Sequence, residues 1–492
     1  MNYKNPILHF DFSDPDCIRD EDDFYLVASS FNHFPGLPIL HSTNLVNWSI
    51  INYALPNLST HFDEVRHGEG VWAPSIRKHN GMYYIVYPLP DEGIFEIHTT
   101  DLHKSFSKPH CLISGKGYED PCPLWVDDKC YLVFSFVKSR IGFNSLLAVQ
   151  EVDSTLDHTI GEYKIVYDGH NDNPTIEGAK FHYMNDYYYI MAPAGSVKGG
   201  WQTCLRSKNV FGPYESKIVL YQGDTLINGP HQGALIDLDD KGKNFAFIHF
   251  QDMRSYGRIV HLEPVKFIND WPICGNIADP LLAGTPVSEH EYLINKESNE
   301  SIQISDNFNG FELSLMWQHP SNLNDFYKVD NKLILSMNNT NYANQINLIP
   351  FQLTTKVPSL EFNIRTELDF TKMKNNDHLG FTVMGERYSA IDFMKYNDNI
   401  IISLIDGKFN EIDKVIDKVY INESSALINA QFRNKDIYDL FYTIHVNGIK
   451  VFDKVKAYAG RWIGTKIGFY AYSDTKSNGL GIVNYYQTTI IK

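Results

Sequence analysis

The feature that most constrains the fold is a short apolar run that recurs five times in the first 250 residues. The runs are rich in aromatic and β-branched residues and occupy positions 24–27, 83–86, 131–134, 187–190 and 245–248. Turns rich in Asp, Asn and Gly precede them at 22–23, 79–81, 127–129, 185–186 and 240–242. A polar turn followed by such a run is typical of the second strand of a β-hairpin. The pattern therefore predicts five hairpins, and helical periodicity is nearly absent.

The hairpins have a common register. In the first four units, a tyrosine of the run lies 11 residues after a second motif. The five motif residues are Asp14, Ala73, Asp120, Glu177 and His231, separated by 59, 47, 57 and 54 residues. Units of this length, each a small antiparallel sheet, predict an all-β, five-bladed β-propeller around a channel. Because equivalent positions of the blades point at one axis, we expect the polar motif residues to share a rim.

Three carboxyl groups on one rim are costly unless some are protonated or bound to a ligand. Turn chemistry explains a single Asp-Pro pair, but three acids in register are hard to obtain by accident. Two carboxyl groups across a channel are the minimum equipment for glycoside cleavage. Glu177 is predicted as the acid because glutamate ionises nearer neutrality than aspartate. Asp120 is predicted as the neighbour that tunes the proton, and Asp14 as the base.

Three further residues are candidates for binding a sugar. His231 is either a structural histidine or part of the rim, and no second histidine lies beside it at ligand spacing. Trp72, next to the Ala73 motif, either packs between blades or forms a platform for a sugar ring. Arg258 is either solvated or holds a carboxylate or a sugar hydroxyl in the channel.

The repeat is lost after residue 272. Positions 281–305 read as a polar linker, and apolar runs at 333–337, 360–365, 380–384, 400–404, 441–446 and 465–472 predict strands of a two-sheet sandwich. The predicted domains are therefore a propeller at 1–285, a linker at 286–305 and a β-sandwich at 306–492. The sandwich either braces the propeller or shares in forming the sugar pocket.

Charge and cysteine usage restrict the partners. A net charge of −16 disfavours nucleic acid and anionic membranes, which need a positive field. No signal-like stretch opens the sequence, and no window approaches the ~20 apolar residues of a membrane helix. The six irregularly spaced cysteines predict buried, reduced thiols in a cytoplasmic protein. The sequence leaves open whether the chain forms a homo-oligomer.

Several motifs taken together resemble glycoside hydrolase family 43. They lie at 5–8, 14–19, 29–31, 45–48, 70–74, 119–121, 175–178, 229–233 and 257–265, with a weaker likeness at 379–385. The resemblance implies an inverting hydrolase on a five-bladed propeller, followed by a concanavalin-like antiparallel β-sandwich. It also implies Asp14 as general base, Asp120 as pKa modulator and Glu177 as general acid.

By the same resemblance, five residues are expected to line the terminal sugar subsite: Phe31, Trp72, Ala73, His231 and Arg258. No cofactor is required. A structural calcium near His231, found in some family members, is left open.

The expected function is exo-acting release of xylose from short xylo-oligosaccharides, as a β-1,4-xylosidase, with α-L-arabinofuranosidase activity as an accompanying activity. One alternative is an α-L-arabinofuranosidase as the main activity, because the two sugars present similar hydroxyl patterns to one pocket. Another is a non-catalytic sugar-binding propeller, disfavoured because all three carboxyl groups are present. A cytoplasmic location fits small imported oligosaccharides better than a polymer.

Overall fold

The computed structural model describes residues 1–239, 242–279 and 283–491 and shows an all-β chain, as predicted. Its described helices are α1 (Lys138–Ile141) and α2 (Ser196–Gly199), with 3₁₀ turns at Thr60–Asp63, Arg254–Tyr256 and Ile346–Leu348. None of these described helices is long and apolar enough to span a bilayer.

Five four-stranded antiparallel sheets follow β1 (Asn2–Lys4), each with its strands in chain order. The first contains β2 (Asp16–Asp20), β3 (Asp23–Val27), β4 (Gly36–Ser42) and β5 (Ser49–Leu55). The second contains β6 (Ser75–His79), β7 (Met82–Leu89), β8 (Gly93–Thr99) and β9 (His110–Ser114). The third contains β10 (Tyr118–Val126), β11 (Lys129–Phe136), β12 (Leu146–Val152) and β13 (Thr159–Asp168). The fourth contains β14 (Lys180–Met184), β15 (Tyr187–Ala194), β16 (Trp201–Ser207) and β17 (Glu215–Tyr221), and the fifth β18 (His231–Asp237), β19 (Phe245–Asp252), β20 (Arg258–Ile268) and β21 (Trp271–Cys274).

All five predicted runs lie on the second strand of a sheet, namely β3, β7, β11, β15 and β19. Two of the turns have both central residues in the left-handed region: Asn80 (φ 49°) with Gly81 (φ 77°), and Asn185 (φ 54°) with Asp186 (φ 58°). That conformation matches the twist of a hairpin and favours Asn and Gly. Asp240 and Lys241 of the fifth predicted turn lie outside the described residues.

Alternate residues of a strand point to opposite sides of a sheet. Because the second strands carry continuous apolar runs, each sheet is apolar on both faces. On β15, for example, Tyr189 and Met191 pack toward the fifth sheet, whereas Ile190 packs toward the third. Five apolar clusters join the first sheet to the second and so on in order, and the last joins the fifth sheet to the first. The first strands of the sheets contact one another in the same cyclic order.

The rest of the chain contains two larger antiparallel sheets. β22 (Glu289–Glu291) precedes them and lies outside both. Their strands are β23 (Tyr327–Val329), β24 (Leu333–Ser336), β25 (Gln352–Lys356), β26 (Phe362–Asp369), β27 (Asp377–Met384), β28 (Arg387–Tyr396), β29 (Asn399–Lys408), β30 (Lys414–Ile421), β31 (Ser425–Asn434), β32 (Leu440–Val446), β33 (Ile449–Lys456), β34 (Lys466–Ser473) and β35 (Leu480–Ile490). The orders are β25-β34-β27-β28-β29-β30 and β23-β24-β35-β26-β31-β32-β33. One core fills the space between them, where Phe469 of β34 lies 6.0 Å, ring to ring, from Tyr486 of β35.

The two regions of the molecule share a packed boundary. Met253, Tyr256 and Ile259, which flank the start of β20, belong to the core of the second region. Asp11 accepts hydrogen bonds from the Gly464 N–H at 2.9 Å and from Lys356 Nζ at 2.6 Å. The loop before β34 is thereby fixed beside β20.

The stretch predicted as a linker pairs with β1 and packs against the first and fifth sheets. Within 286–305, β22 pairs antiparallel with β1, and Tyr292, Leu293, Ile294 and Ile302 pack against the apolar cluster that joins the first and fifth sheets. These apolar side chains anchor a segment whose polar residues dominated the sequence pattern. Residues 281 and 282 of the predicted linker lie outside the described residues.

All six cysteines are free, in agreement with the expectation of reduced thiols. Five are buried, but Cys111 on β9 is exposed, so the prediction of burial was wrong there. The reason is that β9 is the outermost strand of its sheet.

Candidate active site

A cavity of about 120 Å³ lies where the first strands of the five sheets begin. It is lined by Asp14, Phe31, Trp72, Ala73, Glu119, Asp120, Glu177, Val197, His231, Gln232, Arg258 and Trp462. All eight residues predicted from the sequence are among these twelve. The common register of the repeats therefore places their motif residues around one small space.

Asp14 lies just before β2, in the left-handed region with φ 54°. Its Oδ2 accepts a hydrogen bond of 2.5 Å from the Ser29 hydroxyl, and Arg258 Nη1 lies 3.1 Å from its Oδ1. The side chain is 7% exposed. Buried charges are tolerated when they are paired and hydrogen-bonded, and Asp14 has both kinds of partner.

Arg258, the first residue of β20, is held from two sides. Its backbone N–H donates to Asp11 at 2.9 Å, and its Nη1 also donates to the Ser13 hydroxyl at 2.9 Å. The guanidinium lies 4.9 Å from the ring centre of Phe250. Of the two interpretations that the sequence allowed, the structure shows Arg258 holding a carboxylate.

Asp120 lies within β10, also in the left-handed region with φ 54°, at an irregularity in the pairing with β11. Its carboxylate accepts three hydrogen bonds: from the Ser135 hydroxyl at 2.9 Å, the Gly178 N–H at 2.7 Å and Gln232 Nε2 at 2.8 Å. Gly178 lies in the loop before β14, and Gln232 lies on β18. Asp120 therefore connects the loop that carries Glu177 with the strand that carries His231.

The electrostatic setting of Asp120 disfavours its charge. Burial and the nearby Glu177 carboxylate raise the pKa of Asp120 to about 6, although the bonds from Gly178 and Gln232 act in the opposite direction. Glu119, the preceding residue, also lines the cavity. Burial, followed by the charges of Asp120, Glu177 and Asp14, raises the pKa of Glu119 well above its usual value.

Glu177 lies between β13 and β14, and its side chain is 30% exposed. It is the most accessible of the three predicted catalytic carboxyl groups, because Asp14 and Asp120 are buried. Its Oε1 lies 2.8 Å from Nε2 of the buried His231. This contact fixes the orientation of Glu177 and leaves its Oε2 for a ligand in the cavity. His231 is thus part of the site, and not a structural histidine remote from it.

Aromatic side chains form one wall of the cavity. The rings of Phe31 and Trp72 meet edge to face at 6.2 Å, and Trp72 meets Trp462 in the same way at 6.3 Å. Trp72 Nε1 donates to the Gly68 carbonyl at 3.1 Å, which fixes the indole. Gly70 (φ 88°) allows the close pairing behind this wall, since a Cβ there would lie 2.2 Å from the Phe31 carbonyl oxygen.

Four residues of the cavity were not predicted: Glu119, Val197, Gln232 and Trp462. Glu119 and Gln232 each adjoin a predicted residue, so sequence adjacency was an available signal. Val197 belongs to α2 and follows the fourth sheet's second strand. Trp462 follows β33 and lies outside the five sheets altogether. Its presence shows that the second region contributes to the pocket, which was one of the two roles considered for it.

The side chains around His231 offer few free oxygen ligands for a calcium ion. Calcium takes six to eight oxygen ligands, whereas the buried unpartnered atoms there are His231 Nδ1 and a single oxygen, Gln232 Oε1. Within 1–239, 242–279 and 283–491, no group of three or more His, Cys, Asp or Glu side chains is arranged to hold a metal ion.

Comparisons with known proteins agree on one family. The model of glycosyl hydrolases family 43 matches residues 3–272, and that of a β-xylosidase C-terminal concanavalin A-like domain matches 305–487. The chain is 33% identical over 421 residues to a Xylanibacter ruminicola protein whose name assigns it provisionally to the β-xylosidases, covering 85% of this chain and 76% of that protein.

A second relative carries a different activity in its name. The chain is 32% identical over 220 residues to a non-reducing end α-L-arabinofuranosidase of Bacteroides ovatus, which is 43% of this chain and 40% of that protein. The fold matches that of a xylan β-1,4-xylosidase from Bacillus halodurans with a TM-score of 0.85 at 18% identity, covering 99% of this chain and 100% of the other.

Proposed function

The chain belongs to glycoside hydrolase family 43, and from that membership we propose that it is an inverting exo-glycosidase that releases xylose from short β-1,4-linked xylo-oligosaccharides. The observation that carries the proposal is the lining of one cavity of about 120 Å³ by Asp14 and Glu177, which lie just before the first strands of two different sheets. A cavity of this size suits one terminal sugar. The β-xylosidase names among the relatives support the choice of xylose.

Glu177 is the proposed acid. Its Oε1 is engaged by His231 at 2.8 Å, so its proton is delivered from Oε2 to the oxygen of the leaving group. As that proton is transferred, the bond between the anomeric carbon and the glycosidic oxygen breaks. General acid catalysis of this kind contributes about 10²–10⁴-fold to a rate.

Asp14 is the proposed base. A water molecule on the opposite face of the sugar bonds to the anomeric carbon and gives its proton to Asp14, so the configuration inverts. The Arg258 guanidinium at 3.1 Å complements the carboxylate that this step requires. The Ser29 hydroxyl and Arg258 also fix the direction in which the base points.

Asp120 is the proposed regulator of the acid. Burial and the neighbouring Glu177 carboxylate raise the pKa of Asp120 to about 6, so Asp120 supplies a titratable negative charge beside the proposed acid. Its three hydrogen bonds anchor it, so it tunes the proton without approaching the substrate.

Several structural assignments accompany this proposal. We propose that the five sheets are blades of a propeller, which their cyclic packing supports. We propose a catalytic domain at 1–285 and an accessory β-sandwich at 306–492, with 286–305 as the connection. We also propose a cytoplasmic location, because a pocket for chain ends suits short oligosaccharides; fractionation of the producing cells tests it.

The decisive experiment follows product anomers by proton NMR. Aryl β-D-xyloside, aryl α-L-arabinofuranoside, xylo-oligosaccharides and arabino-oligosaccharides are offered in parallel. We expect the xylosides to react faster and α-xylose to appear first. Initial β-xylose would show retention and contradict the roles of Asp14 and Glu177. Faster cleavage of the arabinofuranosides would favour that activity instead, and binding without cleavage would show a sugar-binding protein.

A further inference from the structure

A small cavity, here called the boundary cavity, lies where the five four-stranded sheets pack against the second region. Its volume is about 20 Å³, which is room for one particle of about the size of a water molecule. Loops of the first two sheets contribute His33 and His67, and the second region contributes Phe409, Gly460, Ile463 and Lys466. Of the residues that the structure describes, none lines both this cavity and the catalytic one.

The titratable side chains that line the boundary cavity are all basic: His33, His67 and Lys466. Lys466, the first residue of β34, is 4% exposed, and His33 is 5% exposed. The Nδ1 atom of His33 is buried and has no hydrogen-bond partner. A buried ammonium group is costly unless an opposite charge pairs with it. The chemistry of the lining therefore favours a negatively charged ligand.

The neighbouring charges leave Lys466 poorly compensated. Burial and then the Lys356 ammonium lower the pKa of Lys466 well below its usual value, whereas the Asp11 carboxylate acts in the opposite direction. Asp11 also favours the charge of Lys356. Two buried lysine side chains thus depend on one carboxylate. A second negative charge beside Lys466 would stabilise its ionised form.

We propose that the boundary cavity binds one small monovalent anion, chloride in solution, between the side chains of Lys466 and His33. Lys466 donates from its ammonium group, and His33 donates from Nδ1 in the tautomer that carries the proton there. A cavity of about 20 Å³ has no room for sulfate or phosphate. Met384, Phe409 and Ile463 also line it, and such apolar neighbours strengthen the attraction between opposite charges.

The site joins parts of the chain that are distant in sequence. His67 stacks on Phe409 with ring centres 3.9 Å apart, so the two regions touch beside the cavity. Gly460 and Ile463 flank Trp462, which lines the catalytic cavity. An anion held by Lys466 therefore fixes the loop that carries Trp462. Because the site needs both regions in place, the anion binds only the folded chain and stabilises it.

The direct test is anomalous scattering from a wild-type crystal soaked in sodium bromide. We expect a bromide peak in the boundary cavity, within hydrogen-bond reach of Lys466 Nζ and His33 Nδ1. A water molecule there, with no anomalous signal, would overturn the proposal. This measurement needs no variant, so it stands even if a substitution at the buried Lys466 prevents folding.

The test in solution is thermal unfolding at constant ionic strength, with sodium gluconate replaced stepwise by sodium chloride. Gluconate is too large for the cavity. For wild type we expect a saturable rise in the unfolding midpoint, of about 2–3 °C when chloride reaches a hundred times its dissociation constant. Lys466→Met, which removes the charge but keeps an unbranched side chain, is expected to lose this rise.

The matched control is Lys418→Met, because Lys418 is an exposed lysine on β30, away from the cavity. Its midpoint is expected to rise with chloride as in wild type. A rise of the same size in Lys466→Met would show a general salt effect and overturn the proposal. A wild-type midpoint that does not respond to chloride would overturn it as well, since the bromide peak would then report binding at crystal concentration only.

Discussion

Asp14 and Asp120 occupy matching places in two repeats, yet the nearest charged groups have opposite signs: a guanidinium beside Asp14 and carboxyl groups beside Asp120. Both are followed by proline, both have φ 54°, and each accepts a hydrogen bond from a serine 15 residues later, Ser29 and Ser135 respectively. Beyond these local features, Asp14 faces the Arg258 guanidinium at 3.1 Å. Asp120 instead has neutral donors and lies close to the carboxyl groups of Glu119 and Glu177.

The difference teaches how one repeated motif comes to lie in two opposite electrostatic surroundings. The local sequence determines where each carboxyl group lies, but residues from other sheets determine its charge. Arg258 comes from the fifth sheet, and Glu177 from the loop before the fourth. An opposite charge favours the ionised form that a base needs, whereas burial beside a like charge favours retention of a proton. The contrast places two similar aspartates in opposite electrostatic surroundings, which matches the proposed roles of Asp14 as base and Asp120 as regulator of the acid Glu177.

The largest expected effect comes from removing the base. Asp14→Ala is expected to lower kcat/KM by about 10⁴-fold on both aryl glycosides and oligosaccharides, since every substrate needs an activated water. Steady-state kinetics on the two substrate classes measures it. Asp22→Ala, at an exposed aspartate in the next turn, is the control and should keep wild-type rates. Substantial residual turnover in Asp14→Ala would assign the base to another group.

The next effect separates the acid from the base. Glu177→Ala is expected to lower kcat/KM by about 10³-fold on xylobiose, but by less than about tenfold on aryl glycosides with good leaving groups, which barely need protonation. Comparing leaving groups of different pKa measures the difference. Equal losses on both substrate classes would remove Glu177 from the role of acid and end the contrast with Asp14.

A smaller effect tests the tuning of the proton. Asp120→Asn removes a titratable negative charge from beside the proposed acid, and a like charge favours the protonated form of a neighbouring carboxyl group. The basic limb of the kcat/KM profile should therefore move to lower pH by about one unit, with a loss of about 10- to 100-fold near neutral pH. An unchanged basic limb would show that Asp120 acts only through its hydrogen bonds.

Much of this arrangement was predictable because it repeats. The apolar runs and their polar turns predicted the second strand of each of the five four-stranded sheets. The 11-residue register of the first four units, with a fifth motif placed ahead of the last run, predicted that Asp14, Asp120, Glu177 and His231 share a rim. Local turn chemistry and strand alternation are sufficient for that inference.

What could not be predicted depends on contacts between distant segments. The pairing of Arg258 with Asp14 joins residues 244 positions apart, and Trp462 reaches the pocket from a loop of the second region. That loop has no periodic pattern, and its position depends on packing such as the Gly464 N–H bond to Asp11. Glu119 illustrates a different difficulty: the irregular pairing of β10 with β11 turns its side chain toward the cavity, against the simple alternation of a strand.

The smallest effect concerns stability and not rate. Because the pKa of Asp120 is raised from 3.8 to about 6 in the folded chain, its contribution to stability is fully present below pH 3.8 and is lost as the pH rises through about 6. Asp120→Asn does not titrate, so its free energy of unfolding relative to wild type should improve by about 2 kcal/mol between pH 4 and pH 7. A hydrogen bond lost in the variant changes its free energy of unfolding by the same amount at every pH. Thermal unfolding of both proteins across this pH range therefore measures the titration of Asp120. A difference from wild type that stayed constant over that interval would show that burial beside Glu177 has no consequence for the ionisation of Asp120.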